Sequence, residues 1–215
     1  MKIRLFNVKP KSFEYRNSQE TIWGHDIILE PGKIYQILAS SGSGKSTFVS
    51  ILAGLRGDYD GDVIIGDKKM SEFKTNDWSN WRSSDISFVF QELRLFPELT
   101  VMDNVDILKE INNDFSLFEN KTIQQYLEIF GIGQKTDVKS KFLSYGQQQR
   151  VAIVRAISRN YQWLILDEPF SHLDDKNAQL AWQIITEDAK FKNAGIIITS
   201  LDPYSFITPN NKFIL

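Results

Sequence analysis

The sequence predicts an α/β fold: a mainly parallel sheet, a small antiparallel β subdomain at the N-terminal end, and a helical subdomain inserted into the core. Three observations lead there. Strand and helix signals alternate along the 215 residues, with no internal repeat and no low-complexity tract. Three runs, Ile86–Phe90, Trp163–Leu166 and Ile196–Thr199, are apolar almost throughout, as strands buried on both faces of a parallel sheet must be. Finally, the β-rich segment Lys33–Ala39 passes through a Gly/Ser loop into Thr47–Ala53, whose apolar residues recur at helical spacing.

Taken in order, Ile3–Val8 and Thr21–Leu29 read as short strands, and Val63–Ile65, between Gly61 and Gly66, reads as another; together they form the antiparallel sheet. From Glu98 to Phe142 the spacing is helical, with Ile123, Leu127 and Phe130 on one face, and Val151–Ser158 also reads as helix. The helical subdomain is placed at about residues 92–150 of a single domain spanning 1–215.

Composition narrows the class. A chain of this length with 42% hydrophobic residues can bury a full core without disulfides or a structural metal. Its 25 basic and 27 acidic residues leave a net charge of −2, with none of the basic field that nucleic acid requires, so nucleic acid is excluded as the main partner. The absence of cysteine excludes thiol nucleophiles and zinc-thiolate clusters and suits a reducing compartment. Charges interleave with apolar residues at the N-terminus, unlike a signal peptide, and no apolar stretch nears the roughly 20 residues that cross a bilayer. Action at a membrane would require docking on another chain.

The loop Ala39-Ser40-Ser41-Gly42-Ser43-Gly44-Lys45-Ser46-Thr47 has the composition of an anion cradle. Backbone N–H groups of Ser41 to Ser46 can curl around a β-phosphate, the positive end of the following helix adds to their field, and Gly42 and Gly44 permit the curl. Lys45 would reach the β- and γ-phosphates, and the Ser46 hydroxyl would ligate Mg²⁺. The pattern G-x-x-x-x-G-K-[ST] places glycine where this chain has Ala39, whose methyl restricts φ. Downstream, Trp163–Glu168 is an apolar strand delivering two carboxylates at its C-terminal end, where open α/β sheets bind ligands. Asp167 would hold Mg²⁺, and Glu168 would orient or deprotonate the water attacking the γ-phosphate.

A third segment, Leu143-Ser144-Tyr145-Gly146-Gln147, stands between these two, directly before a helix. The three in this order resemble the ATP-binding cassette family over almost the whole chain, and the resemblance implies a P-loop NTPase core. The third segment is similar to the family's signature, usually Leu-Ser-Gly-Gly-Gln, with Tyr145 in place of one glycine. Ser144 caps the helix, and with the N–H of Gly146 it would offer donors to the γ-phosphate of ATP held by a second cassette; Gln147 completes the motif. The resemblance makes Gln91 the Q-loop glutamine, touching Mg²⁺ and the attacking water, and Ser171–Asp174 the D-loop at a dimer interface. Either Phe13 or Tyr15 would stack on adenine.

Where the family places a histidine after a late core strand, this chain has Leu201, which can neither donate a hydrogen bond nor carry a proton. The resemblance therefore implies an ATPase, with ATP and Mg²⁺, that forms a dimer, the homodimer being the expected form, on a separate integral-membrane permease. It would sit in the cytoplasm on the inner face of the membrane, with slow hydrolysis expected from Leu201. The alternative is a regulatory module that binds ATP but scarcely turns it over. A chromosome-associated cassette is disfavoured because no heptad stretch is present. Leu93, Leu95, Phe96, Pro97 and Leu99 either line a groove for a permease helix or pack the helical subdomain. The run Gln91–Val105 resembles cassettes of the lipoprotein-releasing, macrolide-exporting and cell-division groups.

Overall fold

The computed structural model describes residues 1–11, 21–40, 42, 44–112 and 122–215. Phe13, Tyr15, Ser41 and Ser43 lie outside the described residues.

The N-terminal sheet is antiparallel. Strand β1 (Ile3–Pro10) runs between β2 (Ile27–Leu29) and β4 (Tyr59–Ile65), with β5 (Lys68–Lys69) beyond β4. Alternation sets the register: Ile3 faces Leu29 and Ile65, and Leu5 faces Ile27 and Val63, so one row of side chains enters the core. The ladder breaks between Phe6 and Lys9, where Gly61, at φ 86°, approaches so closely that a Cβ would stand 2.4 Å from the Phe6 and Asn7 carbonyls.

Two expectations for this sheet are corrected. Of the expected strand Thr21–Leu29 only Ile27–Leu29 joins this sheet, while Thr21 makes a single parallel bridge to Ile214; Ile22 and Trp23 bury themselves by turning into the core, and Gly24, at φ 79°, closes the turn with its N–H on the Val8 carbonyl at 2.8 Å. β4 starts at Tyr59 rather than Val63, because the backbone of its polar first half also pairs with β1.

The second sheet is wholly parallel, in the order β6 (Ile86–Val89), β7 (Trp163–Asp167), β8 (Gly195–Ser200), β3 (Ile34–Leu38), β9 (Asn211–Ile214). Both faces are covered. Leu164, Leu166, Ile196 and Ile198 join a core with α5 (Tyr145–Ile157) and α6 (Asp175–Phe191). Trp163, Ile165 and Ile197 point the other way, into a core shared with α1 (Lys45–Leu52) and the antiparallel sheet. This alternation explains why these strands read as unbroken apolar runs. Between β4 and β6 lies α2 (Thr75–Asn80), while α3 (Val101–Asn112) and α4 (Ile123–Ile129) fall between β6 and α5. Helix α6 and strand β9 are not among the elements expected from the sequence. Helix α6 starts at Asp174, whose carboxylate accepts from the Asn177 N–H at 2.8 Å, and buries Ala178, Ala181, Trp182 and Ile185 along one face.

Leu93 is buried in the helical-side core and Leu95 packs against it, whereas Phe96 is exposed. Leu93 and Leu95 therefore follow the packing reading of that run.

Candidate functional site

Parallel strands put their C-terminal ends at one edge, and β7, β8 and β3 are neighbours there. From β3 the chain enters the Gly/Ser loop. Gly42 and Gly44 take φ of 79° and 103°, left-handed conformations that glycine adopts without cost, and Gly44 caps α1. Ala39 does not occupy the left-handed region; it is buried, its N–H donates to the Ser200 carbonyl at 3.1 Å, and its methyl is accommodated. Gly42, Gly44, Lys45, Ser46 and Thr47 line a cavity of about 280 Å³ together with Gln91 and Glu168. Ser40 is exposed and not among the lining residues, and the Thr47 hydroxyl accepts from the Arg56 guanidinium at 3.1 Å. Larger cavities, about 620 Å³ beside Lys212–Ile214 and about 310 Å³ beside Trp78, set no lysine at a helix start against a carboxylate.

At the heart of the cavity, the Lys45 Nζ donates to the Ala39 carbonyl at 2.8 Å and pairs with Glu168 Oε1 at 3.2 Å; both side chains are almost wholly buried. Glu168 itself has φ 48°, a strained value for a residue with a side chain. Hydrogen bonds on both sides hold the strain: its N–H donates to the Thr199 carbonyl at 3.1 Å, and its own carbonyl accepts from the Ser171 hydroxyl at 3.1 Å and the Gln149 amide at 3.2 Å. The neighbouring Asp167 is buried, and burial pushes its carboxyl up from the ordinary range, with Glu168 adding to the rise. The Thr199 hydroxyl, donating to Asp167 Oδ1 at 2.5 Å, and Lys45 oppose it.

Helix α5 opens with a capping box. The Ser144 hydroxyl accepts from the Gln147 N–H at 3.3 Å, and the Gln147 side-chain oxygen accepts from the Ser144 N–H at 3.1 Å and from Lys135 at 3.1 Å. Tyr145 is the first helical residue, with no positive φ. Ser144, Gly146 and Gln147 do not line the cavity with Lys45 and Glu168; Ser144 is exposed at the helix start. Gly146 is tight against the segment after Glu168, where a Cβ would lie 2.7 Å from the His172 carbonyl. At the end of β8 the Ser200 side chain is buried, and Leu201, the next residue, is half exposed.

Two residues escaped the sequence reading as site members. Thr199 enters the sequence analysis only as a strand end, and for Gln149 the sequence shows no more than a polar residue just ahead of the largely apolar run Val151–Ile157, which marks a helix but not its partners.

The residues present suit a nucleoside triphosphate with a hard divalent cation. Among the described residues nothing lies within 4 Å of a Cβ built on Gly42, the loop precedes a helix start, and the Ser46 hydroxyl and Asp167 carboxylate offer the oxygen donors that Mg²⁺ takes. A glycine loop ahead of a helix, a lysine at its first position and adjacent carboxylates at a strand end define a phosphate-loop nucleotide hydrolase. The family model described as ABC transporter matches residues 24–171, and the chain belongs to that family as an ABC ATPase.

Among its relatives, the lipoprotein-releasing system ATP-binding protein LolD of Buchnera aphidicola subsp. Acyrthosiphon pisum (strain APS) is 31% identical over 175 residues, covering 81% of this chain and 77% of the relative. The methionine import ATP-binding protein MetN of Protochlamydia amoebophila (strain UWE25) is 33% identical over 205 residues, covering 93% of this chain but 60% of the relative. The solved dimeric structure of MJ0796, described as a bacterial ABC transporter cassette, superposes with a TM-score of 0.78 at 27% identity, covering 93% of this chain and 88% of that one. Among the described residues, no helix is long and apolar enough to cross a membrane.

Proposed function

We propose that this chain is the ATP-hydrolysing subunit that powers a membrane transporter or a transmembrane mechanotransmission complex. It does so through ATP-driven dimerisation on the cytoplasmic face of a separate permease. The observation that carries the reading is the convergence of Lys45, Glu168 and Gln91 on the glycine loop, with Asp167 beside them. Lys45 leaves Ala39 and Glu168 to bind the β- and γ-phosphates, while the N–H groups of the loop hold the β-phosphate. Ser46 and Asp167, with Gln91 nearby, would hold Mg²⁺, which would neutralise phosphate charge when bound. Glu168, released from Lys45, takes up a proton from the attacking water at its carboxylate; such proton handling contributes typically about 10² to 10⁴ in rate.

Ser144 and Gly146 face a second copy of the chain, as the dimeric MJ0796 cassette favours. Their absence from their own chain's cavity supports that assignment. The likeness to LolD favours a lipoprotein-releasing type of complex, although MetN belongs to a methionine importer.

Turnover is slow in this reading, because the residue after β8 is the half-exposed Leu201 and the neighbouring Ser200 side chain is buried away from solvent. Steady-state Mg-ATPase of the purified chain, with Lys45→Ala as the blank and Leu201→His alongside, tests both parts. Turnover above the blank that rises in Leu201→His supports them. A native rate that Leu201→His leaves unchanged removes the slow-hydrolysis part, and ATP binding without turnover in either protein favours a regulatory module.

A further inference from the structure

Tyr145 stands where the signature motif carries glycine, and its side chain is engaged. Its hydroxyl donates to the Gln91 carbonyl at 2.9 Å, and its ring meets the His172 imidazole edge-on, with centroids 4.2 Å apart. Gln91 and His172 belong to two different segments. The first is the turn after β6, where Leu93 and Arg94 both take positive φ, at 57° and 48°. The second is the stretch after β7 that begins at Glu168.

Each segment has its own anchor on α5. The buried Arg155 guanidinium donates to the Leu93 and Arg94 carbonyls at 2.6 and 2.8 Å, which fixes the far end of the first turn. The buried Gln149 side chain bonds the Glu168 carbonyl and accepts from the His172 N–H at 3.1 Å, which fixes the second. Gly146 lets the second segment approach to backbone contact. Tyr145 touches both segments at once and holds the end of the first turn that faces the cavity.

We infer that Tyr145 is a positioning residue: by tying the Gln91 backbone to the Glu168–His172 stretch, it holds the Gln91 side chain over the phosphate loop and in fixed relation to Glu168. The inference rests on the ATPase reading for its kinetic consequence but not for its geometry. A glycine in the same place would leave the helix start intact and the two segments untied. Tyr145 is 43% exposed, so its replacement opens no cavity in the core.

The chain has no cysteine, so Glu92→Cys and Lys176→Cys, both at exposed positions, place a pair of spin labels without background. The distance distribution between them is measured by pulsed electron paramagnetic resonance in the full chain, with Tyr145 native, Tyr145→Phe and Tyr145→Ala. The expected result is a narrow distribution in the native chain, broader in Tyr145→Phe, which loses the hydroxyl alone, and broadest in Tyr145→Ala. Unlabelled Tyr145→Phe should lose about five-fold in kcat, the equivalent of one ordinary neutral hydrogen bond, with KM changed less than two-fold. Unchanged distributions in both variants, or a change confined to KM, would overturn the inference. If Lys45→Ala hydrolyses ATP as fast as the native chain, the ATPase reading fails by itself, and the distance distributions still decide whether Tyr145 ties the two segments.

Discussion

Replacing Glu168 with glutamine should make the chain bind nucleotide more tightly while it stops turning over. Lys45 and Glu168 are paired at 3.2 Å, and both are nearly buried. With an effective dielectric constant of about 20, two unit charges at that separation attract by about 5 kcal/mol before desolvation is counted. Desolvation and the cost of fixing two side chains remove most of it, leaving on the order of 1–2 kcal/mol that phosphates must displace to reach the Lys45 ammonium. In Glu168→Gln that competition disappears, together with the repulsion between a carboxylate and a phosphate. The Kd for ATP should therefore fall about 5- to 30-fold, since each 1.4 kcal/mol is a factor of ten. Isothermal titration with ATP, run against native protein and Lys45→Ala, gives the number. Tighter binding together with turnover reduced by about 10² or more agrees with the reasoning. An unchanged or weaker affinity in Glu168→Gln would show that Lys45 is not held back by this carboxylate, and the geometry would have to be read differently.

The pH dependence of the site follows from Asp167. Burial raises its folded-state pKa, so its charged form is penalised above that pKa and the penalty fades as the pH falls through it; what acid removes is the carboxylate proposed above to hold Mg²⁺. The acid limb of Mg-dependent turnover should lie above the ordinary carboxylate range and move to higher pH in Thr199→Val, which loses the 2.5 Å hydrogen bond; coincident profiles would count against this. Away from the site, Asp188→Ala should cost about 3–5 kcal/mol in urea unfolding, because it strands the buried Lys192 ammonium that Asp188 pairs at 2.8 Å. Adding Lys192→Met should recover much of the loss, and a single mutant within 1 kcal/mol of native would refute the role of the pair. Gly195→Ala should cost about 1–3 kcal/mol and lower the melting temperature, since its Cβ would lie 2.4 Å from the buried Trp163 ring.

Those elements were legible in the sequence where local chemistry and tertiary need coincide. The apolar runs of β6, β7 and β8 are buried on both faces, so hydropathy alone found them, and the polar residues ending β7 marked the ligand edge. Thr21–Leu29 misled because Ile22 and Trp23 reach the core as side chains of a turn, which composition cannot tell from a paired strand. Helix α6 was hidden because much of its buried face is alanine, at 178, 181 and 189, set among charged residues. β9 is short, begins at Asn211–Lys212 and is mostly exposed. The contacts of Gln149 and Tyr145 join positions 19 and 54 residues away, a distance over which no spacing rule reaches.

The order of the parallel sheet has a consequence for ligand-linked stability. Asp167 and Glu168 leave one strand and the phosphate loop leaves another, and β8 lies between them, bonded to both. A ligand bridging loop and carboxylates clamps the two outer strands across a third that gives it no charged group. The slowing of amide hydrogen exchange on nucleotide binding should therefore be greatest along Ile196–Thr199, in the strand the ligand grips from either side.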